Sequence, residues 1–493
     1  MDFLKISVND NVIVALRDYH AGETITLDGG TIALVDAVPS GHKIAISAIL
    51  AGETVIKYGA PIGNAKMDIA VGCHVHTHNL KTSLDGLLEY SYAPSLSESA
   101  KREPTYFDGY RRSDGKVAIR NEIWIVPTVG CVNTNAQKMA NDAQKLIGGT
   151  IDGIYAFVHP YGCSQLSEDL ENTKRALAGL INHPNAAGVL VLGLGCENNA
   201  VEDMQEILGS WDENRVKFLV CQDVEDEYEA AEHLLAELSE YAKSFSREPI
   251  PMGELIVGLK CGGSDGFSGI TANPLVGAFT DRLIAEGGTA LLTEVPEMFG
   301  AETILMNRCE TPALFEKTVA LINDFKQYFI DNNQVIYENP SPGNKDGGIS
   351  TLEDKSLGCT QKGGTANVTD VLAYAESAKT PGLNLLSGPG NDLVSISNMT
   401  ASGAHIILFT TGRGTPFGTA APTVKISSNT ELATKKSGWV DFDAGPLLTG
   451  VPMDTLRDEL YEYIRDLASG KVQTKSEETG AREFTIFKTG VTL

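Results

Sequence analysis

Gly188-Val-Leu-Val-Leu-Gly-Leu-Gly-Cys-Glu-Asn-Asn199 is an apolar run that stops in a glycine-rich polar turn, and a helical stretch follows to about residue 209. The same order recurs on both sides of it. Ile123-Trp-Ile-Val126 runs into Pro127-Thr-Val-Gly-Cys131-Val-Asn133, then a helical stretch near 134–146. Ile154-Tyr-Ala-Phe-Val158 runs into His159-Pro-Tyr-Gly-Cys163-Ser-Gln165, then a long helix to about 181. Lys217-Phe-Leu-Val220 ends at Cys221-Gln222 before an acidic helix over 224–244. Apolar strands alternating with helices predict a parallel sheet covered on both faces.

Outward from this α/β unit at 113–249 the pattern changes. Residues 1–80 carry short apolar segments at Val12–Leu16, Ile32–Val35, Lys43–Ile46 and Thr54–Lys57, separated by Gly, Pro, Asp and Asn, which predicts a small β domain. Residues 81–112 read as a polar connector punctuated by Ser91, Pro94, Ser95, Ser97, Ser99 and Pro104. From 250 to 493 the α/β theme returns less regularly. Strands are expected at Leu255–Leu259, Ala290–Leu292, Leu383–Leu386 and His405–Phe409, and helices near 312–330 and 452–468. A long glycine-rich loop is expected over 337–366.

A chain of 493 residues exceeds one ordinary core, and its 42% hydrophobic and 21% charged residues suit a globular protein. A net charge of −25 argues against nucleic acid and anionic membrane surfaces as partners. No charge-free apolar run is long enough to span a bilayer, and the first residues lack signal-peptide character, so a cytoplasmic location is expected. Eight cysteines in so long a chain make no disulfide framework. Five follow a glycine, at the points where apolar runs stop.

The densest chemical signal is Gly72-Cys-His-Val-His-Thr-His-Asn79, with three of the nine histidines at alternate positions. On an extended strand His74, His76 and His78 share a face, neighbours roughly 7 Å apart at Cα. Two can share a metal ion easily; all three can only if the strand bends or ends. Neutral imidazole suits iron, zinc, manganese or copper.

In open α/β sheets the ligand crevice lies beyond the carboxyl ends of the strands. Cys131, Asn133, His159, Cys163, Gln165, Cys196, Glu197, Cys261, Asp265, Glu294 and Arg413 all closely follow an apolar run, and a shared site is expected there. Gly193-Leu-Gly195 and Gly412-Arg-Gly414 each miss the third glycine of a dinucleotide fingerprint. Gly262-Gly-Ser264-Asp-Gly266 fits a nucleophile elbow, but the only later histidine is His405, at the start of an apolar strand.

The histidine motif joins several others in chain order. These are His159-Pro-Tyr-Gly-Cys-Ser-Gln165, Gly193-Leu-Gly-Cys-Glu-Asn198, Cys261-Gly-Gly-Ser-Asp-Gly266, Thr293-Glu-Val-Pro-Glu-Met-Phe-Gly300, Asn339-Pro-Ser-Pro-Gly-Asn344, Leu357-Gly-Cys-Thr-Gln-Lys362 and Thr411-Gly-Arg-Gly-Thr-Pro416. From end to end the set resembles the altronate and galactarate dehydratase family. The resemblance implies an N-terminal β-clip domain of the SAF type and a larger dehydratase portion. It also implies a divalent metal, usually iron (manganese or another divalent ion being the alternatives), and conversion of altronate to 2-keto-3-deoxygluconate. Cys73 departs from the family motif and is a poor candidate for an essential ligand.

With that chemistry in view, His74, His76, Cys163 and Glu197 are the candidate metal ligands. His159, Lys362 and His78 are the candidate acid and base, since a C2 proton must leave and a C3 hydroxyl must be assisted. Arg413 suits a two-point grip on a carboxylate, and Asn133, Gln165, Ser264, Asp265 and Lys345 are further substrate contacts. One or two of Cys131, Cys163 and Cys196 are expected to line this site without building a cluster, because close Cys-x2-Cys spacing is absent. An iron–sulfur dehydratase, a galactarate dehydratase and a sugar-acid-binding protein are the competing readings, and a homo-oligomer is compatible with all of them.

Overall fold

Short β-branched segments broken by tight turns build the N-terminal domain. In this computed structural model, which describes residues 2–27, 29–98 and 101–493, Phe3–Leu4, Val12–Ala15, Lys43–Ala45 and His74–Val75 form an antiparallel sheet. Thr54–Lys57, Ala60–Ala65 and Leu80–Lys81 form a second sheet, and Thr24–Leu27 pairs with Gly30–Ala33. Val12, Ala45, Val55, Ile62 and Val75 close one small core between the sheets. Ser99, placed by the sequence in the connector, lies outside the described residues.

The connector is not free chain. Tyr90 Oη donates to Glu302 at 2.6 Å and Tyr92 Oη to the Cys309 carbonyl at 2.7 Å, strapping it onto the C-terminal region. Its end is corrected: Tyr106–Arg111 is a strand, antiparallel to Glu248–Pro251. An aspartate and a glycine inside the segment hide its alternation.

The middle unit matches the strand–turn–helix reading. Its parallel strands lie in the order Gly153–Ala156, Glu122–Pro127, Ala186–Gly193, Val216–Val220. Alternation sends Trp124, Val126, Val189 and Val191 to one face and Ile123, Ile125, Leu190 and Leu192 to the other. Each fully buried side chain of this kind contributes about 1.5–3 kcal/mol, so both faces must be roofed by helices.

The C-terminal unit carries a seven-stranded parallel sheet. Its order is Val368–Leu372, Gly382–Leu386, Thr289–Leu292, Ile256–Cys261, Ile406–Thr411, Thr423–Ser427, Phe442–Asp443. The expected loop over 337–366 is corrected, because helices Pro342–Asp346 and Leu352–Cys359 lie within it, capped by Ser341 and Thr351. Every residue of Leu352–Cys359 is buried, so no amphipathic period exists to betray it. The two α/β units share a core through helices Ser167–Ile181 and Asp392–Ala401. No helix among the described residues is long and apolar enough to cross a membrane.

The N-terminal domain docks through buried charge. Lys43 and Lys57 both reach Asp354, at 2.9 and 3.0 Å, with all three side chains buried. Burial alone would raise the Asp354 pKa, but the two lysines outweigh it and hold the carboxyl well below its usual range.

Candidate active site

The strand carrying the first histidine ends at Val75, and residues 76–79 turn back on themselves. Asn79 makes the turn: its Oδ1 accepts from His76 N at 2.9 Å and its Nδ2 donates to the His74 carbonyl at 2.8 Å. The bend brings His74 and His76 into a parallel stack, ring centres 5.5 Å apart. The neighbouring strand pairs Lys43 with Val75 and Ile44 with His74, so the next residue down, His42, falls beside His76. His42, His74 and His76 each present a ring nitrogen within 4.8 Å of the other two. Sequence reasoning missed His42 because it stands alone between Gly41 and Lys43. Its signal was its place just before the strand Lys43–Ala45, the hydrogen-bonded neighbour of the histidine strand.

His42 Nε2 donates to the Asp346 carbonyl at 3.2 Å, which fixes its tautomer and leaves the Nδ1 lone pair aimed at His74 Nε2, 3.0 Å away. His76 Nδ1 is in hydrogen-bond contact with Ser350 Oγ at 3.3 Å. Burial lowers all three imidazole pKa values, His74 to about 4 and His76 to about 3. All three are therefore neutral at pH 7. Three neutral imidazoles within reach of one ion fit a divalent transition metal.

The wall opposite belongs to the C-terminal unit. Gly41 sits at φ +83°, and a Cβ at Gly266 or Gly348 would overlap its carbonyl, so only glycines permit this approach. The helix Pro342–Asp346, just before Gly348, carries Lys345, half-buried, and Arg413 lies on the same rim, exposed, its guanidinium donating to the Gly343 carbonyl at 3.3 Å. Ser264 lies just below, its carbonyl accepting from Asn344 at 2.9 Å and its buried Oγ without a partner among the described residues. His78 stands outside the trio, exposed, with its ring 5.4 Å from that of His74.

Behind this rim lies a buried polar network. Cys261 Sγ is 3.2 Å from Cys359 Sγ and 3.2 Å from Glu297, and Lys362 Nζ donates to it at 2.9 Å. The hydrogen bond from Cys359, together with Lys362 and Lys260, pulls the Cys261 thiol pKa down against burial and the Glu297 charge. Lys355 bridges Glu297 at 2.8 Å to Asn339 and Asn344 at 3.0 and 3.2 Å, tying the network to the rim. Lys260 pairs with Glu294 at 2.5 Å and Asp392 at 2.7 Å, and Glu294 holds a left-handed backbone at φ 68°. Strain of that kind collects at functional sites. A small cavity lined by Tyr58, Ser264, Lys355 and Cys359 separates the network from the N-terminal domain.

Several expected site residues are placed elsewhere. His159 is buried in the middle unit, Nε2 donating to the Pro127 carbonyl at 2.8 Å and Nδ1 accepting from Tyr161 N at 3.2 Å, so neither nitrogen is free to move a proton. Glu197 accepts from Thr128 Oγ1 and from the backbone N–H groups of Leu194, Gly195 and Cys196, which makes it a brace for its own loop. Asn133 donates to the His159 carbonyl, and Gln165 accepts from Gly162 N and Thr173. Cys163 is exposed on the same loops, and neither it nor Glu197 joins the histidine trio. Asp265 is used up by Ser268, Ser428 and Asn429, stapling two loops of the C-terminal unit. His405 donates to the Val117 carbonyl and accepts from Ile256 N, which removes the hydrolase reading of Ser264.

The three structural units coincide with three family models. Residues 1–83 match the altronate/galactarate dehydratase SAF domain, 109–243 the second domain of D-galactarate dehydratase/altronate hydrolase, and 252–492 the D-galactarate/altronate dehydratase C-terminal model. The chain is 54% identical to altronate dehydratase of Bacillus subtilis, covering 100% of this chain and 99% of that one. It is 53% identical to altronate dehydratase of Escherichia coli over 100% of both. Galactarate dehydratase (L-threo-forming) of Escherichia coli is 31% identical over 97% of this chain and 95% of its own. Full-length similarity at this level, joined to a β domain docked on a parallel α/β body, makes the protein an enzyme of the hydro-lyase class: the chain belongs to the altronate/galactarate dehydratase family.

Proposed function

We propose that the protein dehydrates D-altronate to 2-keto-3-deoxy-D-gluconate with a divalent iron, or manganese in its place, held by His42, His74 and His76. The observation that carries this reading is the meeting of three neutral imidazoles at the joint between the SAF domain and the dehydratase body. The higher identity to two altronate dehydratases than to the galactarate enzyme favours the aldonic acid.

A divalent ion held by His42, His74 and His76 would supply Lewis acidity toward the substrate carboxylate and a local positive charge within a chain of net charge −25. The remaining work falls to the chain. Arg413 is exposed at the rim and orients a carboxylate through its planar fork. Lys345, on the helix Pro342–Asp346 at the same rim, supports the same carboxylate. His78, beside the trio but outside it, takes the C2 proton. Lys362 donates to Cys261 in the buried network behind the rim. The eight free cysteines suit a reducing compartment, and we place the protein in the cytoplasm.

The test is turnover by anaerobically purified, iron-loaded protein on a panel of hexonates and hexarates. Altronate is expected to give a 2-keto-3-deoxy acid. Tight binding without turnover of any acid would replace the enzyme reading with a sugar-acid-binding protein.

A further inference from the structure

The middle unit contributes nothing to the histidine joint, yet a cysteine follows each of its four parallel strands. In sheet order these are Cys163, Cys131, Cys196 and Cys221. The crevice beyond the carboxyl ends of such strands is where α/β sheets bind ligands. Cys131, Cys163 and Cys196 are exposed, although unpaired cysteine is among the most buried residue types. Cys221 differs from these three in being half-buried, and burial pushes its thiol up to about 11.

Hydrogen bonds bind the three loops to one another. Gly130 N donates to the Tyr161 carbonyl at 2.8 Å, Asn199 N to the Gly162 carbonyl at 2.9 Å, and Ser164 N to Asn198 Oδ1 at 2.8 Å. Gly162 and Gly195 have φ of +98° and +124°, and Ser164 has φ 60°, so the chain is bent sharply around two of the thiols. Two buried amides beside them keep one atom each without a partner among the described residues, Gln165 Nε2 and Asn199 Oδ1. Glu197, the one carboxylate in these loops, is spent on four internal hydrogen bonds and is not available as a ligand.

We propose that Cys131, Cys163 and Cys196 hold an iron–sulfur cluster, in a second site independent of the histidine trio. The arrangement does not suit a single ion. Among the described residues these sulfurs do not form a group within 4.8 Å of one another, the separation that ligands of one ion require, whereas the histidines do. A cluster spans a wider set of thiolates and takes hydrogen bonds to its sulfurs from neighbouring amides. The absence of close Cys-x2-Cys spacing does not exclude this, because the parallel sheet sets side by side the three loops that carry these thiols. Three thiolates would leave one iron of a four-iron cluster open.

The experiment is anaerobic reconstitution of the full-length protein with ferrous iron and sulfide, followed by desalting and measurement of iron, acid-labile sulfide and visible absorbance. The wild type is expected to retain iron and sulfide in comparable amounts, several equivalents per chain, with broad visible absorbance. The triple variant Cys131→Ser, Cys163→Ser, Cys196→Ser is expected to lose sulfide and absorbance, while His42→Ala with His74→Ala keeps both. Should the triple variant misfold by circular dichroism, the three single variants replace it, each expected to lower retained sulfide. Wild type without labile sulfide, or variants that keep the full amount, would overturn the proposal. So would iron that the cysteine variants lose but that carries no sulfide, which is a thiolate-bound ion.

Discussion

The histidine joint and the strand-end loops of the middle unit are built from similar residues and end differently. At the joint, His42, His74 and His76 make few bonds to their own loops, and their lone pairs converge across a domain boundary. In the middle unit, His159, Gln165 and Glu197 turn inward and satisfy the backbone that carries them. A polar residue at a strand end is therefore no evidence of a site until its hydrogen bonds have been counted. Groups that remain free after the fold is satisfied are the ones open to chemistry.

The sharpest way to break this comparison is to remove a histidine from each side. His42→Ala with His74→Ala is expected to lose bound metal and lower kcat by on the order of 10³ or more, about 4 kcal/mol of transition-state stabilisation. His159→Asn is expected to keep the metal and to change kcat/KM by less than about threefold, with its cost appearing in stability as about 1–3 kcal/mol. Metal analysis, kinetics and thermal melts on the two variants decide it. Retained stoichiometric metal in the first, or metal loss in the second, would reverse the assignment.

Next in size is the dock between the domains. Asp354→Asn strands Lys43 and Lys57 in a buried site without their shared charge, at an expected cost of about 3–5 kcal/mol. Because Lys43 follows His42 directly, the loss should loosen the metal site as well as the fold. A denaturant melt within about 1 kcal/mol of wild type would show that the joint is held by its apolar contacts and not by this carboxylate.

Arg413 tests whether an exposed rim residue does what the buried loops cannot. Arg413→Lys is expected to lower kcat/KM for altronate by about 10–100-fold, since lysine cannot reproduce a planar two-point grip. Altronate should be turned over much faster than galactarate, whose far carboxylate would need a second cation and would be costly to desolvate without one. Equal kcat/KM on the two acids, or normal kinetics in the variant, would sink this account.

These outcomes bear on how far the sequence alone could lead. The α/β units were legible because strands such as Gly188–Leu192 are apolar on both faces, a pattern with few structural alternatives. The helix Leu352–Cys359 and the strand Thr423–Ser427 were not: the first is buried all round and the second carries Thr, Lys and Ser in the interior. For the site, the alternation at His74, His76 and His78 drew attention to the right stretch. His42 depended on strand pairing between residues more than thirty apart, which no local pattern records. The strand-end cysteines were visible one by one, but only the sheet order reveals that they are neighbours.

The smallest expected effect on turnover comes from a buried lysine that has no carboxylate. Lys425 packs against Phe409 at 3.6 Å and Phe417 at 4.3 Å, and its Nζ has no hydrogen-bond partner among the described residues. Burial lowers its pKa to about 7, in contrast to Lys57, which Asp354 keeps charged. The unfolded chain holds that proton up to about pH 10.4. Between the two values the unfolded state binds more protons than the folded one, so stability must rise with pH from about 7 toward 10, and the cost of the charge is present in full below 7. Lys425→Met removes the titrating group and keeps the stem that packs on the two rings. The variant is expected to melt higher than wild type at pH 6, by at least about 1 kcal/mol of stability, with the gap closing as pH approaches 10 and kcat unchanged. Melting curves for the two proteins at matched pH values measure it. A gap that stays constant across this range, or one that widens with pH, would mean that Lys425 is charged and stabilised by the aromatic faces.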